Sequence, residues 1–510
     1  RHVENKGNAT LVPGQPRQME VRLKPLPPGA HLVLWTSVSA EDGHVLHGSY
    51  IFYVKRRGPG PSLAGVSLGG PSQTFPDATG LLALIAHWLE LLGAIAWVGP
   101  AFFSAFILPV AAGLGDPASQ PGTLVSAYRR LRVLVTVSIL VLIGASTVVL
   151  LMNAYGVAGN DWGGVFSRST LSSVFAGQYA QIWAARQVIA LLGLALVLPP
   201  RSARLESHKE VAGALAVVGF VYLYAFAASG HAASAHIGTL PGSHQSIFSV
   251  SIFLDWLHVV GNSLWFGGMI YIALVLISAF RIAGDWQCHS RLFLDTLDRF
   301  SPVAYTSVAF FALTGMFNGK IHIVSWYAFF NSIYGRALIL KIALIGLMMM
   351  ISAYHVFRLR PRIRGKLDAP VAGGNPPVET LMDRLAGWLR LEPMLGVGVL
   401  LAVSVMFYYP VPAGFGPAGP SSYTAQAAGL TATVAIKPGH SGPNQIKVVL
   451  RDGRGQPVQQ ASVTVLSTML DMVMGTNLTP LRQTSPGSYS GTTDLGMGGR
   501  WRMQILVYRP

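Results

Sequence analysis

Apolar and polar positions divide the chain into three blocks. Between residues 80 and 410, eight apolar runs reach the roughly 20 residues that a bilayer-spanning helix needs: 80–108, 132–154, 179–199, 211–230, 251–280, 300–320, 335–357 and 393–410. None has the alternation of a membrane barrel, so all are expected to be helices, which satisfy their backbone groups internally. Before this block, residues 1–57 alternate at period two, as in Met19-Glu20-Val21-Arg22-Leu23 and His31-Leu32-Val33-Leu34-Trp35. Turn signals at Pro27-Pro28-Gly29 and Glu41-Asp42-Gly43-His44 separate these stretches, a pattern that predicts strands. Residues 58–79 are rich in Gly, Pro and Ser, lack periodicity and read as a linker. After the apolar block, 421–510 alternates again at Leu430–Ile436, Gln445–Leu450, Ala461–Leu466 and Trp501–Val507. Turn clusters at Asp452-Gly453, Ser485-Pro486-Gly487 and Gly496 to Gly499 complete the pattern of a small Ig-like β-sandwich. No internal repeat stands out. The expected architecture is a polytopic α-helical membrane protein of about eight spans, with a β domain at each end.

Composition agrees with this division. Of 510 residues, 51% are hydrophobic and 11% charged, which excludes a purely soluble enzyme and a disordered chain. The formal charge is +16, from 37 Lys plus Arg against 21 Asp plus Glu. Its distribution reads as topology rather than nucleic-acid binding. Sixteen basic residues follow spans one, three, five and seven, including Arg129, Arg201, Arg291 and the run Arg358 to Lys366, whereas the other loops hold only Arg168 and Lys320. The positive-inside rule makes the basic loops cytoplasmic. Both terminal β domains are then extracytoplasmic, on a multi-pass protein of the plasma membrane. An outside N-terminus needs a leader, and the chain opens on a polar stretch, so a mature or shortened sequence is expected. Cys288 is the only cysteine, which excludes an internal disulfide framework, a cysteine-based zinc site and an iron–sulfur cluster.

Several motifs together carry a family resemblance. Leu26-Pro27-Pro28-Gly29-Ala30-His31-Leu32-Val33-Leu34-Trp35, Ser39-Ala40-Glu41-Asp42-Gly43-His44 and Gly48-Ser49-Tyr50-Ile51-Phe52 resemble the C-terminal half of the CopC copper-binding β domain. The membrane block resembles CopD at Ser229-Gly230-His231-Ala232, Leu257-His258, Leu264-Trp265-Phe266-Gly267-Gly268, Arg299-Phe300-Ser301-Pro302, Thr314-Gly315 and Tyr334-Gly335-Arg336 with Lys341. Residues Met469 to Met474, Gly487-Ser488-Tyr489 and Gly498-Gly499-Arg500-Trp501 resemble the YtkA-like domain. The order is similar to that of YcnJ-type CopC–CopD fusions of copper transport and resistance. The resemblance implies a CopC-like segment at 1–57, a CopD-like membrane domain at 80–410 and a YtkA-like β-sandwich at 421–510. In CopC proteins an N-terminal histidine completes a Cu(II) site with the Asp-x-His pair. His2 falls too late to be that histidine, so the Cu(II) site is expected to be incomplete here.

The residues offer matching chemistry. Asp42 and His44, two apart, point to one face of a strand or turn edge, and an imidazole with a carboxylate suits Cu(II). The rival reading is an Asp-Gly turn beside a surface histidine. In span five, Ser251, Asp255, His258 and Asn262 fall in one stripe of a helix turning about 100° per residue. In span one, His87 and Glu90 share a face. His231 closes span four and His236 follows it in the outer loop. Given the orientation, imidazoles and carboxylates of three helices reach a similar depth in the outer half of the membrane. Neutral imidazole binds copper, and a carboxylate can hold its second nitrogen. Alternatively each group merely hydrogen-bonds across the bundle. Arg186 and Lys341 lie at comparable depth, and either can pair with Glu90 or Asp255, which would make the carboxylates structural.

Softer donors lie elsewhere. Met348, Met349, Met350 and His355 sit toward the inner end of span seven, where thioethers suit Cu(I) but also pack as ordinary gap-fillers. Cys288-His289 in a cytoplasmic loop is a further weak Cu(I) acceptor. In the tail, Met469, Met472 and Met474 crowd six residues, near Met497 and His440. They converge on Cu(I) if this is a loop, and pack as core if it is a buried strand.

The leading expectation is copper transport across the cytoplasmic membrane as import, with Cu(II) captured by the first domain and Cu(I) bound by the last. No Walker or phosphorylation motif accompanies it, and no enzyme activity is expected. Partners are then copper ions, the lipid bilayer and an extracytoplasmic copper chaperone or cuproenzyme. Two alternatives stay open: a b-type haem oxidoreductase built on membrane histidines, and a non-transporting chaperone that loads an extracytoplasmic cuproenzyme.

Overall fold

Each apolar run falls largely in a helix over its described residues, and several helices outrun it. The structure is a computed structural model that describes residues 9–12, 15–38, 45–54, 76–112, 121–198, 205–230, 249–282, 286–322, 326–368, 378–409, 421–439, 442–469, 476–495 and 501–508. Helix α1 (Ala78–Phe102) begins where the Asp77 carboxylate accepts the Gly80 N–H at 2.7 Å. It passes through a π-helical turn, Phe103–Ile107, into α2 (Leu108–Ala112). Then come α3 (Pro121–Val157), the short α4 (Arg168–Ala176), α5 (Gln178–Val197) and α6 (Leu205–Ala227). Helix α7 (Val250–Tyr271), capped by the Ser249 hydroxyl, also runs through a π-helical turn, Ile272–Leu276, into α8 (Ile277–Ile282). The set closes with α9 (Trp286–His322), the short α10 (Trp326–Asn331), α11 (Ile333–Tyr354), a third π-helical turn at His355–Leu359, α12 (Arg360–Asp368) and α13 (Val378–Tyr408).

Among the described residues, seven stretches are long and apolar enough to cross a membrane: 78–110, 124–157, 178–197, 208–227, 250–280, 333–368 and 378–408. The eighth expected run, 300–320, lies within α9, a helix of 37 residues. Helices α3, α9 and α13 start well before their apolar runs and carry the basic residues Arg129, Arg299 and Arg384 on their first turns and beyond. A helix satisfies its own hydrogen bonds in water as in lipid, so hydropathy marks the bilayer and not the helix end. For the same reason Pro393, expected at the start of the last span, sits in the interior of α13.

Helices α1 and α7 are the centre of the bundle, with most of each span buried. Trp97, Val98 and Ala101 of α1 are fully enclosed, and Tyr271 and Ile272 lie at the end of α7 within the same core. Helices α3, α6, α7 and α13 surround α1, while α11 lies at the rim with little of its span covered.

The tail is built from β5 (Ser421–Ala427), β6 (Leu430–Lys437), β7 (Gly442–Asp452), β8 (Ser462–Met469), β9 (Thr476–Ser485), β10 (Ser488–Leu495) and β11 (Trp501–Tyr508). Hydrogen bonds connect them in the order β11-β8-β9-β10-β7-β6-β5, all antiparallel. The β9–β10 pairing is short and bulged between Ser488 and Tyr489, so the sheet folds there into two layers, as in an Ig-like sandwich. Alternate residues Val434, Ile436, Ile446, Val448, Val463 and Val465 fill the space between them. At the other end, β1 (Thr10–Val12) pairs with β2 (Gln15–Glu20), and β3 (Gly29–Val38) forms a ten-residue hairpin with β4 (Val45–Val54). Strand β4 lies against β9, so the two terminal β regions touch.

Candidate functional site

In the N-terminal half of α1, Glu90 is buried in an ion pair. Its Oε1 accepts from Arg186 Nη2 of α5, and its Oε2 lies 3.7 Å from His87 Nδ1. The same guanidinium donates to Tyr222 OH at 2.9 Å and Ser229 Oγ at 3.2 Å, both at the C-terminal half of α6 or just beyond it. The rings of Tyr222 and Phe226 flank its charge, with centroids 5.3 and 4.9 Å from Cζ. Glu90 and Arg186 are each 2% exposed. Of the two partners the sequence left open for Arg186, the fold joins it to Glu90, which makes this carboxylate a counter-ion. The His87 ring stacks on Phe407 of α13 at 4.1 Å and faces Phe226 at 6.4 Å, so its surroundings are mainly aromatic.

Helix α7 presents a different arrangement. His258 Nδ1 lies 2.7 Å from Thr314 Oγ1 of α9. The Thr314 hydroxyl has a single proton and three acceptors in reach: His258 Nδ1 and the backbone carbonyls of Phe310 and Phe311 at 3.0 and 3.2 Å. When a carbonyl takes that proton, the threonine oxygen accepts and the imidazole donates from Nδ1. That tautomer keeps its lone pair on Nε2, a state in which histidine binds a metal. Asn262, the next residue of the stripe, donates Nδ2 to the His258 carbonyl at 3.2 Å. Lys341 of α11 lies within electrostatic reach of His258. Asp255 and Ser251 share the helix and are engaged in interactions of their own.

A third cluster joins His355, which the sequence singled out, to Glu392, which it did not. At the end of α11, His355 Nε2 lies 3.1 Å from Glu392 Oε1 of α13, and the Ser352 hydroxyl donates to the same oxygen at 2.6 Å. Both ionisable groups are almost fully buried. Glu392 escaped notice because its Pro393 neighbour marked the expected start of a span; the signal lay in the helical continuation from Val378. Beyond this cluster, Arg360 donates to Ser301 at 2.9 Å, and Arg364 to Asp295 and Asp298 at 2.7 and 2.6 Å, tying α12 to α9.

Asp42, His44, His231, His236, Met472 and Met474 lie outside the described residues, as do His440 and Met497. Met469 ends strand β8, opposite Trp501 of β11. His87 and His258 have different neighbours, α6 and α13 for the first and α9 and α11 for the second. Among the described residues, no group of three or more His, Cys, Asp or Glu side chains is placed to hold a metal ion.

Comparison with known proteins places this geometry in context. Four family models match: the CopC domain over residues 2–55, the N-terminal domain of copper resistance protein D-like proteins over 77–240, copper resistance protein D over 294–406, and the YtkA-like domain over 424–506. The chain is 27% identical over 498 residues to copper transport protein CutJ of Bacillus subtilis, covering 96% of this chain and 81% of the relative. It is 26% identical over 257 residues to inner membrane protein YebZ of Escherichia coli, covering 49% of this chain and 75% of the relative. No solved structure matches it.

Proposed function

The chain is a CopC–CopD fusion with a YtkA-like tail, and from that premise we propose that it moves copper inward across the cytoplasmic membrane. The reading rests above all on His258, an imidazole inside the bundle that the Thr314 hydroxyl holds through Nδ1, on the opposite side of the ring from Nε2. Copper would be captured outside by the terminal domains: by Asp42 and His44 as Cu(II), and by Met469, Met472 and Met474 as Cu(I). It would pass His231 and His236, which follow α6 along the chain, and then reach His258, with Asp255 and Asn262 on the same stripe. His87, between two aromatic rings, would be a secondary donor, and Glu90 serves the bundle as the counter-ion of Arg186.

The contact between β4 and β9 supports terminal domains on one side of the membrane. The charge distribution along the loops supports that side being extracytoplasmic.

The test is copper accumulation in cells carrying His258→Leu, with the amount of protein in the membrane as control. The variant should insert normally, because losing one interhelical hydrogen bond costs only about 0.6–2 kcal/mol. Accumulation should be lost. Wild-type accumulation at equal protein level would overturn the intramembrane histidine station.

A further inference from the structure

The expectation that no repeat runs through the chain fails on the packing. Trp88-Leu89, Gly93, Trp97 and Gly99 of α1 recur at the same spacing as Trp256-Leu257, Gly261, Trp265 and Gly267 of α7. Each helix then enters a π-helical turn, a short helix and a helix of 37 residues, α3 or α9. Each of these is followed by a short helix, α4 or α10, and by α5 or α11. Seven residues separate Tyr179 from Arg186 in the first of these and Tyr334 from Lys341 in the second. Helices α6 and α13 close the two series.

The contacts between the series are reciprocal. A Cβ on Gly99 would lie 2.5 Å from Gly267 Cα, and one on Gly267 would lie 2.7 Å from Gly99 Cα. Trp88 of the first series donates Nε1 to the Val397 carbonyl of the second at 3.2 Å, and Trp256 of the second donates to the Phe220 carbonyl of the first at 3.0 Å. Within the series the pattern repeats. Gly93 packs on the Ser138 carbonyl and Gly261 on that of Ser307; Gly219 packs on Val98 and Gly396 on Phe266. Contacts in which one position meets its counterpart and is met by it are the mark of a two-fold axis. Here both partners belong to one chain.

The repeat makes Glu90 the counterpart of His258, and Arg186 that of Lys341. We infer that the membrane block is a tandem pair of four-helix units related by a pseudo-two-fold axis at the Gly99–Gly267 contact. Of its two equivalent polar stations, Glu90–Arg186 is sealed and structural, and His258 with Lys341 is the one open to the transported ion. This rests on the reading of His258 as a copper station and adds which half of the bundle carries the traffic.

The two stations differ in what already fills them. In the first, a carboxylate, a phenol and a hydroxyl hold a guanidinium that never loses its charge. An entering cation would have to displace Arg186 from Glu90, leaving the guanidinium buried without its counter-ion. In the second, no carboxylate pairs with Lys341 among the described residues, and His258 is held through Nδ1 alone. Gly315 beside it leaves space: even an added Cβ would stay 4.0 Å from His258 Cε1.

The experiment uses the full-length protein with two readouts, melting temperature in detergent micelles and copper accumulation in cells. Glu90→Leu with Arg186→Leu removes both charges together, so it should melt near the wild type and accumulate copper within about twofold of it. His258→Leu should also melt near the wild type, but lose accumulation by at least about tenfold. Loss of accumulation in the double leucine variant at wild-type melting temperature overturns the sealed first station. Unchanged accumulation in His258→Leu overturns the copper reading of that residue, whereas the double variant decides the first station independently of it. Should the double variant not fold, Ala145→Cys and its counterpart Thr314→Cys, each in a Cys288→Ser background, give the same comparison by labelling with a water-soluble thiol reagent in membranes. Faster labelling at position 314 supports the assignment. Equal rates, faster labelling at position 145, or no labelling at either overturns it.

Discussion

Glu90 and His258 occupy matching places on α1 and α7, and the bundle treats them differently. Around Glu90 the Arg186 guanidinium matches the carboxylate charge and also donates to Tyr222 OH and Ser229 Oγ. Around His258, Thr314 engages one ring nitrogen, Nδ1. Desolvated charges that are fully paired hold a fold in one state, because parting them inside lipid is prohibitive. A half-satisfied neutral ring can exchange its partner at small cost. The comparison teaches that a buried ionisable group in a membrane helix is available to a ligand only where no opposite charge already neutralises it.

Breaking the first pair should have the largest effect. Glu90→Leu alone leaves Arg186 buried without its counter-ion and should cost about 3–5 kcal/mol, read as a large fall in melting temperature and in membrane-resident protein. His258→Leu at the matching position should shift melting far less, which is the contrast at issue.

The seam between the units comes next. Gly99→Ala and Gly267→Ala each force a methyl group into the opposing backbone and should each destabilise by about 1–3 kcal/mol, to a similar extent. Gly346→Ala, in a helix position with open space around it, should be neutral or slightly stabilising. Unequal losses at Gly99 and Gly267 would count against the two-fold relation.

Smaller still, Trp88→Phe and Trp256→Phe each remove one indole-to-carbonyl hydrogen bond between the units. Matching losses of about 0.6–2 kcal/mol are expected, measured by thermal melting.

The smallest effect belongs to the N-cap of α1, outside the lipid. The Gly80 N–H, and after it the Thr79 hydroxyl, hold the Asp77 carboxyl below its ordinary value of 3.8. A lowered folded-state value means that the cap stabilises fully above the ordinary value and fades as pH falls through the lowered one. Asp77→Ala should therefore lower the melting temperature slightly at pH about 7 and not at pH about 3, since an exposed cap contributes at most about 1 kcal/mol. An identical shift at both pH values would show that the carboxylate charge is not what caps the helix.

Much of the architecture was legible before any coordinates. The apolar runs located the helices, and period-two stretches located β6, β7, β8 and β11 of the tail. Strands β5, β9 and β10 were missed because Ser421–Ala427, Thr476–Ser485 and Ser488–Leu495 are largely polar or small. They hold their places by pairing with neighbours and by single core residues, Leu481 and Tyr489, too few to make a period-two pattern. Glu392 was missed because hydropathy cuts a helix at the bilayer edge, while the backbone of α13 continues through it. The repeat hid because few side chains coincide between α1 and α7, and those few are Trp, Leu and Gly in segments where any apolar residue passes.

The sequence by itself determined which segments enter lipid, because transfer from water is a sum over single residues and needs no knowledge of neighbours. It also determined that His87, Glu90, Asp255 and His258 lie on particular helix faces, since the helical period is fixed. Which charge meets which was decided only by the tertiary structure. Arg186 and Lys341 were equal candidates for Glu90 along the chain, and the glycine contact at the centre of the bundle set which helices stand side by side. Pairing depends on distances of a few ångströms across helices far apart in sequence. Those distances follow from how closely two backbones can approach, a property of the pair of helices that neither segment carries alone.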